Sequence, residues 1–364
     1  MKIGSIVPSA EASPLEALLP RERWDAIDVP RLSPMQHFIW NEACFATMYR
    51  DRSAVLLVTE GGIAPFVRKG AIPTLYLAGA EELGEPSEAR YADAAAAERL
   101  VDAILAQRLP VNLGQPPEGT VFSEAFKSRA RARGLLVTRP TEGSPYIELD
   151  DSWKDALTRF SSRRRSDFRR MRRRAEEDGR ITFEFHQPQP HEASALLDQA
   201  IAVEARSWKS RTRTAIADNK VQMDFFRRYA DLASADGIFR IAFMKIGSVI
   251  AAAQICAECD DSFWLFKIGY DERFARCSPG QLLMLESIER AASRGLKRYE
   301  FLGKAADWTK FWTSTERPRL RLRYYPRNAL GSAAIIRDAV VVGQNRLGRL
   351  IDRSNNGTSR DGYG

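Results

Sequence analysis

Ser278-Pro279-Gly280-Gln281 stands between an apolar run, Phe263–Gly269, and a stretch of helical spacing, Leu282–Ser293. A strand that turns through Gly into a helix leaves backbone N–H groups unpaired at the positive end of the helix dipole, a seat for a phosphate or diphosphate. The amides of Ser278, Gly280, Gln281 and Leu282 are expected to form that seat, with added charge from Arg276 or Arg273. The plainer reading is an ordinary helix start, because Ser caps and Pro suits the first turn. Groups that hold or release protons flank the turn: Tyr270 and Asp271 before it, Glu300 after it. Against a chemical role for each stand core packing for Tyr270, a turn cap for Asp271 and a solvated strand position for Glu300.

The elements that must position these groups follow from periodicity. In the second half Ile181–His186 reads as a strand, and Glu192–Lys209 and Gln222–Ala235 as helices. Ile238–Ile246 and Ser248–Cys259 form a hairpin about Gly247, followed by the strand Phe263–Gly269, the helix to Ser293 and a short strand, Arg298–Leu302. The strands before and after the Ser-Pro-Gly turn must then be parallel neighbours. A helix at Asp307–Trp312 and a strand at Arg319–Tyr325 close the unit.

The first half repeats this order, with strands Ala54–Thr59, Ile63–Arg68 and Thr74–Ala78 before a helix, Ala92–Gln107. The repeat predicts a pseudo-symmetric pair of sheets. Its loop after the third strand carries Glu81, Glu82 and Glu85, which would repel a diphosphate, so this half supports the fold or shapes a substrate groove. Trp153–Asp178 reads as one long helix, and the basic stretch after Pro326 as flexible.

The chain carries a formal charge of +8, with nine arginines between Arg159 and Arg174, which favours anionic partners or a solvated helix face. Phe168 is the one aromatic within Arg163–Arg174, against base stacking on single strands. Cys256 and Cys259, three apart on a strand, face opposite ways and cannot share a metal, and the three histidines do not gather around them. No metal is expected. No apolar stretch reaches the ~20 residues of a membrane helix and no secretory signal is visible, which predicts a cytoplasmic protein.

With this order in place, residues 153–326 resemble the GNAT acyltransferase superfamily, and more narrowly the CelD/BcsL-type acetyltransferase domain of bacterial polysaccharide biosynthesis, a relative of the FemAB peptidyltransferases. The resemblance rests on the arginine helix Arg163–Arg174, on Glu204-Ala205-Arg206-Ser207-Trp208-Lys209, on Lys267-Ile268-Gly269-Tyr270-Asp271 leading to Ser278-Pro279-Gly280, and on Phe301-Leu302-Gly303 followed by Trp308, Lys310 and Trp312. It implies an α/β (α+β) chain of two tandem GNAT-like domains, with mixed, mostly antiparallel sheets flanked by helices. The expected division is a degenerate domain over 1–150, an Arg-rich connecting helix over 151–180, an acyltransferase domain over 181–326 and a basic tail over 327–364.

The implied activity is acetyl-CoA-dependent N-acetylation of an amino sugar in an exopolysaccharide or its lipid-linked precursor. Ile268, Gly269, Arg276, Ser278, Gly280, Gln281 and Leu282 would hold acetyl-CoA, and Tyr270, Asp271 and Glu300 would act on protons. Arg206, Trp208, Lys209, Lys267 and Lys310 would bind the acceptor. Two other readings stand beside it. One is FemAB-type transfer from aminoacyl-tRNA, suggested by a turn poorer in glycine than usual and by Lys304-Ala305 where another Gly is common. The other is a non-catalytic factor responsive to cyclic di-GMP through the RxxxR pairs Arg323/Arg327 and Arg349/Arg353 and the D-x-S-x-x-G run from Asp352 to Gly357. The arginine helix would also allow peripheral contact with an acidic inner-membrane face.

Overall fold

The computed structural model describes residues 15–29, 32–49, 53–207 and 216–357. The first half runs α1 (Arg21–Asp25), α2 (Phe38–Met48), β1 (Ser53–Thr59), β2 (Gly62–Lys69), β3 (Thr74–Leu77), α3 (Ala80–Leu83), β4 (Arg90–Tyr91), α4 (Ala94–Ala106), β5 (Val111–Leu113), α5 (Val121–Arg133) and β6 (Gly134–Glu148). A 3-10 segment, Asp151–Arg159, leads into α6 (Ser162–Asp178). The second half runs β7 (Ile181–His186), α7 (Pro190–Ala205), α8 (Lys220–Ala235), β8 (Phe239–Ile246), β9 (Val249–Cys259) and β10 (Ser262–Tyr270). After a 3-10 turn, Glu272–Cys277, come α9 (Pro279–Ser293), β11 (Arg298–Glu300), α10 (Asp307–Lys310), β12 (Glu316–Pro326) and α11 (Ala329–Gly357).

The repeat is real in three dimensions. β1, β2 and β3 pair antiparallel in sequence and β3 pairs parallel with β5; β8, β9, β10 and β11 repeat that pattern. The expected pair of sheets is instead one 12-stranded sheet, because the last strand of each half crosses to the other. β6 pairs with β11 of the second half, β12 pairs with β5 of the first, and β6 and β12 pair with each other at the centre. Each half is therefore completed by the other's chain.

One face of the sheet carries α4 and α5 in the first half and the 3-10 segment, α6 and α9 in the second. The opposite face carries α1, α2, α7 and α8 in one core that spans both halves. Trp40 of α2 is its hub, with ring centroids 4.7 Å from Phe225, 5.2 Å from Tyr229 and 5.5 Å from Phe266. Cys256 lies in the core under α9 and Cys259 packs against the other, which confirms that they face apart.

Two elements differ from expectation. The long arginine helix breaks at Phe160, whose buried ring anchors the turn, and restarts at Ser161, whose hydroxyl accepts the Arg164 N–H. The stretch after Pro326 is helical where described: α11 docks on β12 through Asp338, which takes hydrogen bonds from Tyr325 (2.7 Å) and Arg323. Asp352–Gly357 thus lies within a helix.

Candidate functional site

The site is made by a fork. β10 and β11 pair in parallel over only three positions, Ser262 to Trp264 against Arg298 to Glu300, and then part. β10 continues to Tyr270 along β9, through a bulge between Leu265 and Lys267. β11 stops at Glu300, and Leu302 and Gly303 both take left-handed backbone conformations (φ 56° and 53°) that turn the chain away. Asp271 N–H donates to Ala251 O on the β9 side, so strand alternation aims the Tyr270 N–H into the gap.

Ser278, itself left-handed (φ 48°), turns the chain from the 3-10 turn Glu272–Cys277 into α9. No side chain caps this helix. The seat is narrower than expected: Ser278 N–H donates to Ala275 O, Pro279 has no N–H, and the N–H groups of Gln281 and Leu282 both go to Ser278 O. Gly280 N–H is the donor left over among these. The corresponding helix of the first half, α4, is closed by Asp93, whose carboxylate accepts the Ala96 N–H at 2.7 Å. That carboxylate closes, at the start of α4, the position that no side chain closes at the start of α9. Glu81 and Glu82 are tied to Lys69, and Glu85 accepts the Gly303 N–H at 3.3 Å.

A cavity of ≈ 340 Å³ joins the end of β10 to the start of α9. Ile268, Gly269, Tyr270, Ser278, Gly280 and Gln281 contribute to its wall, together with the aromatic pair Trp308 and Trp312. Its size and mainly apolar wall with a few polar groups are those of a small-molecule site. The Gln281 Oε1 and Trp312 Nε1 atoms are buried without a hydrogen-bond partner.

Residues 162–310 match the acetyltransferase (GNAT) domain family. That match, about two fifths of the chain, makes residues 162–310 similar to a GNAT acetyltransferase domain. Among solved structures, FemX aligns over 84% of this chain and 95% of its own at 12% identity, with a TM-score of 0.56. A conserved protein of unknown function from Bacteroides thetaiotaomicron VPI-5482 aligns over 89% and 99% at 9% identity and TM-score 0.55. The C-terminal domain (DUF2156) of an Agrobacterium fabrum protein assigned as a lysylphosphatidylglycerol synthetase aligns over 88% and 96% at 13% identity and TM-score 0.50. At these identities the likeness is one of fold. No curated protein matches the sequence.

Several residues expected at the GNAT site stand elsewhere. Arg276 is outside the cavity wall; its guanidinium is held by Asp178 at 2.5 Å and Glu177 at 3.3 Å, at the end of α6. Leu282 is buried in the core beneath α9. Asp271 is buried and ion-paired to Arg273 at 2.7 Å and Arg206 at 2.8 Å. The hydrogen bonds from Arg273 hold its carboxyl below the usual range, so it fixes the end of β10 and makes a poor proton acceptor. Glu300 is likewise buried and paired to Arg317 at 2.7 Å, on the sheet face away from α9. Lys310 extends into solvent on α10. Trp208 and Lys209 lie outside the described residues. Among the described residues no group of His, Cys, Asp and Glu could hold a metal.

Sequence reading missed Ser207, Ala275 and Met284 as wall residues. Gly269, a wall residue, also has a packing task. A Cβ there would lie 2.7 Å from the Glu204 Cα, so glycine lets α7 cross β10 in contact. Gly269→Ala should push α7 off the strand, lower stability by about 1–3 kcal/mol and weaken acetyl-CoA binding, read from the urea midpoint and calorimetry.

Proposed function

We propose that this chain transfers an acetyl group from acetyl-CoA to an amino sugar of a bacterial exopolysaccharide or its lipid-linked precursor. The observation that carries this reading is the continuity of the cavity with both the β10–β11 fork and the uncapped start of α9. The residues fit the donor: Gly280 N–H and the helix dipole suit a diphosphate, the gap between the strands suits an extended pantetheine arm, and acetyl-CoA supplies the activated acyl group.

Tyr270 N–H is positioned to donate to the acyl oxygen, where charge develops. The Tyr270 ring borders the cavity, so its hydroxyl is the group to protonate the leaving sulfur. Exposed Trp308 offers a ring face to a sugar. The sugar acceptor rests on the resemblance to the CelD/BcsL type. No helix among the described residues is long and apolar enough to cross a membrane. A lipid-linked acceptor would therefore be met at the membrane surface, with the exposed arginines of α6 toward acidic headgroups.

The FemX-like fold and the arginines of α6 favour a second reading, aminoacyl transfer from tRNA. Calorimetry separates the two. Saturable binding of acetyl-CoA, with none of total tRNA, is expected. Binding of tRNA alone would replace the first reading with the second, and binding of neither would leave the chain a non-catalytic factor.

A further inference from the structure

A second, smaller cavity, of ≈ 40 Å³, lies at the end of α9 away from Gly280. The 15 residues of α9 put it roughly 20 Å from the Ser-Pro-Gly turn, at about 1.5 Å per residue. Alternation along β8 places Arg240 on the same face as Ala242 and Met244, the face that α9 covers. Glu258 of β9 stands two places beyond Cys256, the cross-strand partner of Arg240, and so shares that face. Arg290 and Arg294 come from the end of α9, one helical turn apart, with the small side chain of Ala291 between them. Phe185 of the edge strand β7 forms one side, and the Arg290 guanidinium lies 4.8 Å from its ring centroid.

Three guanidiniums here meet one carboxylate. Glu258 is the one acid in the wall among the described residues, and both its oxygens are taken. One accepts Arg240 Nε at 3.0 Å, and the other accepts Arg294 Nε at 2.9 Å and Nη2 at 2.8 Å. Arg240 Nη1 is pinned to Gly237 O at 2.7 Å and Phe239 O at 2.8 Å. Among the described residues, Arg240 Nη2, Arg294 Nη1 and the whole Arg290 guanidinium have no hydrogen-bond acceptor. Glu184 of β7 is already engaged by Lys245 at 2.7 Å and His186 at 3.2 Å. The wall thus carries a surplus of positive charge in a half-closed space, where the Arg240 and Glu258 side chains are 15% and 11% exposed. Burial pushes the Arg240 guanidinium below its ordinary value, and Arg294 and Arg290 push the same way against Glu258.

Such a surplus is matched by a dianion that accepts from several guanidiniums at once. A water takes about 10–15 Å³ counted in the same way, so the notch admits about three oxygen atoms, the number a terminal phosphate group presents. A carboxylate brings one charge and two oxygens and leaves the wall unbalanced. We propose that this notch binds the phosphate group of a small phosphate monoester, with Arg240, Arg290 and Arg294 as donors and the rest of the molecule lying toward Phe185. Glu258 holds two of the arginines in place. The site is independent of the acetyl-CoA reading, since none of its residues lines the larger cavity.

The test titrates the full chain with inorganic phosphate, glucose 6-phosphate and AMP, by calorimetry and by 31P NMR. At least one should bind at one equivalent with Kd below about 1 mM. Arg290 is exposed and makes no hydrogen bond among the described residues, so Arg290→Gln should unfold at the wild-type temperature. It should weaken the binding at least about tenfold, the worth of one bond from a charged donor. Arg294→Gln should weaken it too, and Gly280→Glu should bind as wild type does. Equal affinity for all three probes shows that the phosphate alone is read, and preference for an ester shows that the Phe185 side holds the organic part. Either result supports the site. The proposal is overturned if none of the probes binds, or if Arg290→Gln and Arg294→Gln both bind within twofold of wild type. It is also overturned if binding disappears in Gly280→Glu, which would place the phosphate at the other end of α9.

Discussion

Gly280→Glu should abolish acetyl-CoA binding while leaving the fold at least as stable as before. A Cβ at this position would lie 3.6 Å from the Tyr270 ring and 3.9 Å from the Ile268 methyl, ordinary contacts, so the backbone accepts a side chain there. A carboxylate in the first turn of α9 interacts favourably with the helix dipole, by about 0.3–1 kcal/mol. It also fills the seat with the charge a diphosphate would bring. A carboxylate already closes the start of α4 in the first half, where Asp93 accepts the Ala96 N–H. In thermal unfolding, wild-type protein should gain about 2.7 kcal/mol at a ligand concentration 100 times Kd. Gly280→Ala should keep part of that gain and Gly280→Glu none. A full acetyl-CoA shift in Gly280→Glu would place the diphosphate elsewhere on the protein.

Local signals made the strands, the hairpin at Gly247 and the start of α9 legible, because each is set by neighbours in sequence. The fork was legible too, since a strand–helix–strand passage forces parallel pairing. What the sequence did not disclose is non-local or directional. The exchange of β6 and β12 depends on pairings such as Leu322 with Leu113, and the Glu85–Gly303 bond spans 218 positions. Arg276 is close in sequence to the seat, yet the 3-10 turn before Ser278 points it at the acids of α6. Asp271 and Glu300 had the right chemical type, but each is matched with an arginine that periodicity could not pair with it. The C-terminal helix escaped notice because glycines interrupt its apolar spacing, and Ile336, Val340 and Val341 remain exposed in it.

The exchanged strands make a demanding prediction about Arg319. It is 1% exposed at the centre of the sheet, where β12 passes the irregularity in β6. Its guanidinium donates to Glu142 O at 2.9 Å, Gln115 Oε1 at 2.5 Å and Gly303 O at 2.6 Å, so one side chain ties a first-half loop, β6 and the lip of the fork together. Arg319→Met fills similar volume but removes three partly buried hydrogen bonds made by a charged donor, each worth about 1.5–3 kcal/mol at most. The expected loss is on the order of 3–5 kcal/mol, read from the urea midpoint. Arg319→Lys should recover only a minor part, because an ammonium lacks the planar fork that reaches all three. The loss should appear as a shift of one transition for the whole chain, since β6 and β12 each belong to the other half's sheet. A variant that unfolds in two separate steps, with only the second half weakened, would show that the halves are held by their helices and not by the exchanged strands.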